Sequence, residues 1–149
     1  MDILEKVRQW VQTFPLWEEG NLLYIDYLEG VPGKAALYPG GLEVISAKAD
    51  VLGGVRLRCR YHFAMYRVGC AQDDGVDAKW LAAFQSWVVE QSARGLAPVF
   101  GDEPAAERIF AEKAAMKDTS LPGSDIYTVK LTAQFVKKYE EGAIGNGKN

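Results

Sequence analysis

With 149 residues, 48% of them hydrophobic and 25% charged, the chain has the size and composition of one globular domain, and disorder or low complexity is excluded. A formal net charge of −3 and a pI near 5.2 argue against general affinity for phosphate backbones, which needs a surplus of lysine and arginine. No apolar run approaches the roughly 18 residues that cross a bilayer as a helix, so no membrane partner is expected.

The start, Met1-Asp2-Ile3-Leu4-Glu5, is acidic where a secretory signal is basic, and a cytosolic protein is expected. Residues 2–14 predict an amphipathic helix, with Ile3, Leu4, Val7, Trp10, Val11 and Phe14 on one face. Asp2 and Glu5 have capping-box spacing, and Pro15 ends the segment. From Asn21 to Cys70 the pattern is that of strands. Leu22 to Leu28 is followed by a turn, Lys34 to Tyr38 stops at Pro39-Gly40-Gly41, and Leu42 to Val51 leads through Leu52-Gly53-Gly54 into Val55 to about Val68. The last two predict an antiparallel hairpin.

The Val55–Val68 strand is the most informative stretch. Odd positions Val55, Leu57, Cys59, Tyr61, Phe63 and Met65 suit a core. Even positions run Arg56, Arg58, Arg60 and His62, then Ala64, Tyr66 and Val68, so that face changes from basic to apolar midway.

A second helix is predicted from about Asp77, read as its N-cap, to Arg94, with Trp80, Phe84, Trp87, Val88 and Gln91 on one face and Gly95 as its stop. Trp10 and Trp87, central in their stripes, are expected to be buried against the sheet. Pro104 to Met116 has helical propensity. Residues 121–125 read as a loop, and Tyr127 to Phe135 alternates as a strand with one wet face. Together these make an α+β fold, a mostly antiparallel sheet packed against an N-terminal and a central helix. One domain over 1–141 and a flexible tail over 142–149 are expected.

The chain carries no motif for catalysis. Ser46 and Ser86 lack the glycines of a nucleophile elbow, and Gly30 to Ala35 lacks the hydroxyl and spacing of a phosphate loop. Cys59 and His62 stand three positions apart on a strand and so point to opposite faces. Asp73, Asp74 and Asp77 lack the acidic alternation of a calcium loop, and a lone histidine with Cys59 and Cys70 does not make a zinc site. Both cysteines are expected to be free thiols of a reducing compartment. A non-enzyme without catalytic, cofactor or metal residues follows. The one unusual constellation is the row Arg56, Arg58, Arg60 and His62. Its readings are a solvated face paired with Glu43 or Asp50, or a contact with an acidic partner subunit. Specific nucleic acid is disfavoured, since no aromatic is interleaved on that half of the face.

The order of features resembles the minor capsid or tail terminator proteins of long-tailed bacteriophages. The resemblance rests on the leading helix, on Gly53-Gly54-Val55 through Tyr61-His62-Phe63-Ala64-Met65-Tyr66, on Phe84 to Gln91 closed by Gly95-Leu96-Ala97-Pro98, and on Ile126 to Leu131 running on to Phe135 and Tyr139. It spans about Ile3 to Tyr139, and at 104–116 it implies a strand. It further implies a virion structural protein of phage or prophage, found in the host cytoplasm during assembly and then in the tail. Its subunits form a ring, typically a hexamer, that ends the tail tube and joins it to the head, with tube and head-completion proteins as partners. The subunit-interface candidates are Arg56, Arg58, Arg60 and His62. The alternative is a small α+β binding or assembly module.

Overall fold

In a computed structural model, which describes residues 2–69, 75–112, 118–121 and 124–140, the elements follow the predicted order with a few corrections. Helix α1 spans Ile3–Val11. The Asp2 carboxylate accepts from the Glu5 backbone N–H at 2.8 Å, but Glu5 turns to Arg8 at 2.6 Å and does not complete the capping box. Arg8 holds the Glu5 carboxyl below its ordinary range.

Strands β1 (Leu23–Ile25), β2 (Ala35–Ala49), β3 (Val55–Val68), β4 (Arg108–Ala111), β5 (Asp118–Leu121) and β6 (Ser124–Tyr139) form one sheet in the order β1-β2-β3-β6-β4, with β5 paired to the start of β6. All pairings are antiparallel except β1–β2, which is parallel over three residues. The expected break at Pro39-Gly40-Gly41 does not occur. Pro39 stays in register opposite Phe63 and Gly40 forms a bulge inside a continuous β2, with a second irregularity between Val44 and Ser46.

The hairpin between β2 and β3 forms where Gly53-Gly54 predicts it. Asp50 Oδ1 accepts from the Leu52 and Gly54 N–H groups, both at 2.8 Å, and Gly53 takes φ +88°, which glycine adopts without strain.

Helix α2 spans Val76–Ala93, and its N-cap is Gly75 rather than Asp77. Asp77 is instead buried inside the first turn, where it pairs with Arg67 at 2.9 Å. The helix ends in a full Schellman pattern, with Leu96 N–H donating to Gln91 O and Gly95 N–H to Ser92 O. Of the Pro104–Met116 segment, 113–116 lie outside the described residues; in the rest the strand wins over the helical propensity, with a short 3-10 turn at Pro104–Ala106 and then β4. Pairing with β6 satisfies the edge of that long strand and places Ile109 in the core, which outweighs a local preference. The expected loop at 121–125 is partly strand, β5 ending at Leu121 and β6 beginning at Ser124. The expected flexible tail at 142–149 lies outside the described residues, as do Cys70, Asp73 and Asp74.

Both helices contribute to one core. Val7, Trp10, Val11 and Phe14 from α1 and its end meet Leu81, Phe84 and Val88 from α2 over Cys59, Phe63, Met65, Val129, Leu131 and Phe135 of the central strands. The odd positions of β3 therefore face the helices. Trp10 is buried, but Trp87 is only partly buried; it stacks on Trp10 of the other helix at 4.9 Å between centroids and packs against the same core. The opposite face of the sheet carries no helix among the described elements.

Candidate interaction face of the sheet

The face away from the helices is built by the even positions of β3 and their cross-strand neighbours. Register places Lys48, Arg56 and Lys138 in one row, Ser46, Arg58 and Val136 in the next, then Glu43, Arg60 and Gln134, then Gly41, His62 and Thr132. The four predicted side chains therefore share one face, as period two requires. They do not share one environment.

Arg56 is committed within the chain. Its guanidinium binds both oxygens of Glu103, Nε to Oε2 and a terminal nitrogen to Oε1, each at 2.8 Å. Lys138 adds a third contact to Glu103 at 3.1 Å. Arg56, then Lys138, holds the Glu103 carboxyl down to about 2, and Glu103 in turn raises Arg56. Neither Glu43 nor Asp50, the partners expected from the neighbouring strand, meets Arg56: Asp50 serves the hairpin turn, and Glu43 goes to His62.

His62 is held from two sides, by Glu43 at 3.0 Å through Nε2 and by Thr132 Oγ1 at 3.2 Å through Nδ1. The imidazole contact is the main cause that lowers the Glu43 carboxyl. Arg58 and Arg60 remain exposed and form no ion pair among the described residues. Arg60 stands opposite Glu43 in the register and adds a smaller electrostatic pull on it.

Beyond His62 the face turns aromatic. Tyr38 and Tyr66 meet edge to face at 5.1 Å, and Ala64, opposite Tyr38 on β3, leaves a low floor. A shallow depression of about 390 Å³ lies here, lined by Tyr38, His62, Tyr66, Lys130 and Glu112 among others. Cys59 points to the core, and burial pushes its thiol up, away from the reactive thiolate. It does not meet His62. Among the described residues no three histidine, cysteine or acidic side chains converge as metal ligands would.

Two participants escaped sequence reading. Glu103 is 47 positions from Arg56, and no local pattern connects them. Arg67 occupies an odd position, so it faces the helices. There its guanidinium lies 4.3 Å over the Trp80 ring, bonds Asp77, and reaches Glu18 at 3.7 Å. An arginine at the end of an otherwise apolar alternation was the available signal. No protein-family model matches the chain, and no curated protein is significantly similar to it.

Proposed function

We propose that the protein is a structural subunit of a bacteriophage tail, of the tail terminator kind, acting through assembly and without catalysis. The reading places it in a ring at the head-proximal end of the tail tube, where it ends the tube and joins it to the head. The observation that carries the reading is the division of the sheet. One face is closed by two helices, and the other carries no helix among the described elements and presents the exposed Arg58 and Arg60 on its central strand.

A sheet face of this kind suits a flat partner surface. Two guanidinium groups presented from adjacent rows can each take a carboxylate in bidentate fashion, which fixes register between subunits as well as adding affinity. Arg56 and His62 already have intramolecular partners, so they shape the face while Arg58 and Arg60 contact the neighbour. Asp102 and Glu103 are used within the chain, by Lys137, Lys138 and Arg56, and the neighbour's acids come from elsewhere. A closed ring needs two different surfaces per subunit.

The test uses tail components in full. Arg58→Glu combined with Arg60→Glu leaves circular dichroism unchanged, because both side chains are exposed, and reduces the joining of tails to heads. Normal tail length together with normal joining removes the reading. The depression at Tyr38, Tyr66, His62 and Lys130 favours the second reading, a binding module, which soaking with small aromatic acids and following Tyr38 and Tyr66 fluorescence would test.

A further inference from the structure

The two ends of β3 differ in chemistry. Its fourteen residues span roughly 45 Å at ~3.3 Å each, so the ends are far apart. At the β2–β3 end, Val51 is 99% exposed and Leu52 75% exposed, on a turn that Asp50 fixes with two side-chain hydrogen bonds. A rigid turn that holds two apolar side chains in solvent gains nothing from the fold of its own chain. Beside it stand Lys48 and Arg58, exposed and without ion pairs among the described residues.

At the Val68 end lies the connection from α1 into β1 and onward to β2. It exposes Leu22, Tyr27 at 59%, and Val31, together with Glu18, Glu19 and Asp26. Glu18 leans on Arg67, while Glu19 and Asp26 form no ion pair among the described residues. A cleft of about 380 Å³ opens here between Trp17, Glu18, Glu19 and Leu22, with Gln12 and Asn21 behind. Trp17 is fixed as one wall by its indole N–H, which donates to Asn21 O at 2.6 Å.

We infer that the hairpin tip of one copy docks into the Trp17–Leu22 cleft of a second copy, head to tail. Val51 and Leu52 fill the apolar part, and Lys48 and Arg58 face Glu19 and Asp26. The occupant is a second copy because one chain carries both halves, apolar with basic at one end and apolar with acidic at the other. The tip cannot reach the cleft of its own chain across the length of β3. The contact is heterologous, so repetition gives a ring or a filament, never an isolated two-fold dimer. The assignment rests on the assembly reading above and adds its missing second surface.

The experiment places a photo-reactive benzophenone amino acid at position 52 of the full chain and irradiates it at the highest soluble concentration. The expected adduct joins position 52 to residues 16–31 of another molecule, located by mass spectrometry of mixed isotopic copies. Adducts at other segments, or no intermolecular adduct, overturn the inference. Leu52→Asp is expected to weaken self-association at least tenfold without changing circular dichroism. Lys48→Glu and Glu19→Lys each weaken it, and together they restore it; failure of that rescue overturns the charge pairing. The same variants in tail assembly keep the two readings separate. The expected adduct with normal tails in Leu52→Asp retains the contact and removes the tail function, whereas misplaced adducts with defective tails do the reverse.

Discussion

The guanidinium of Arg56 on β3 holds both carboxylate oxygens of Glu103, a residue that stands just before the 3-10 turn. This bond ties the connection between α2 and β4 to the open face of the sheet, and Lys138 on β6 shares it. Glu103 is held at about 2, below its ordinary 4.5, so the contact adds stability above pH 4.5 and loses it as pH falls toward 2. In urea titrations, wild type is expected to exceed Glu103→Gln in midpoint at pH 6, with the gap closing between those two values. A gap independent of pH would assign the effect to packing instead.

Trp10 and Trp87 stack between the helices, and Trp10 also donates its indole N–H to Gln91 Oε1 at 3.0 Å. Trp10 is buried, so Trp10→Ala is expected to cost roughly 3–5 kcal/mol. Trp87 is only partly buried, and Trp87→Ala should cost less, about 2 kcal/mol. Chemical denaturation measures both. Equal losses at the two positions would mean that the exposed side of Trp87 is covered in solution.

The contrast between these two tryptophans shows where sequence reading holds and where it stops. Spacing placed both in apolar stripes, and the stripes are real, but spacing does not tell a helix–sheet contact from a helix–helix one. The alternation of β3 was legible over its whole length because period two depends on the backbone alone. The same rule put Arg56, Arg58, Arg60 and His62 on one face. It was silent on which of them are already occupied, because Glu103 arrives from a distant segment. Pro39 misled for a physical reason: a proline at a bulge looks, in sequence, like a strand end. At Pro104–Ala111 propensity pointed to a helix and the resemblance to a strand, and pairing with a long neighbouring strand decides for the strand.

Asp77 and Arg67 join the start of α2 to the end of β3, with both side chains more than nine-tenths buried. Removing one member of such a pair leaves a charge in a poorly solvated place. Asp77→Ala is therefore expected to cost about 3 kcal/mol, more than a cap substitution, which typically costs about 1 kcal/mol. Thermal unfolding distinguishes the two, since a loss near the smaller figure would return Asp77 to a capping role.

Gly101 sits where the connection after α2 crosses the edge of β6. A side chain at that position would collide with the backbone carbonyl of Val136, which is part of the sheet and not free to move aside. The neighbouring bonds, Asp102 N–H to Val136 O at 2.7 Å and Lys138 N–H to the Asp102 carboxylate at 2.8 Å, depend on that close approach. Gly101→Ala is thus expected to lift the segment from the strand and withdraw Glu103, the next residue but one, from Arg56. Two consequences separate this from simple destabilisation. The pH-dependent part of stability assigned to Glu103 should vanish in Gly101→Ala, and adding Glu103→Gln to it should cost nothing further. Additive losses in the double variant would show that the glycine and the ion pair act independently, and that the bond to Arg56 survives without the tight crossing.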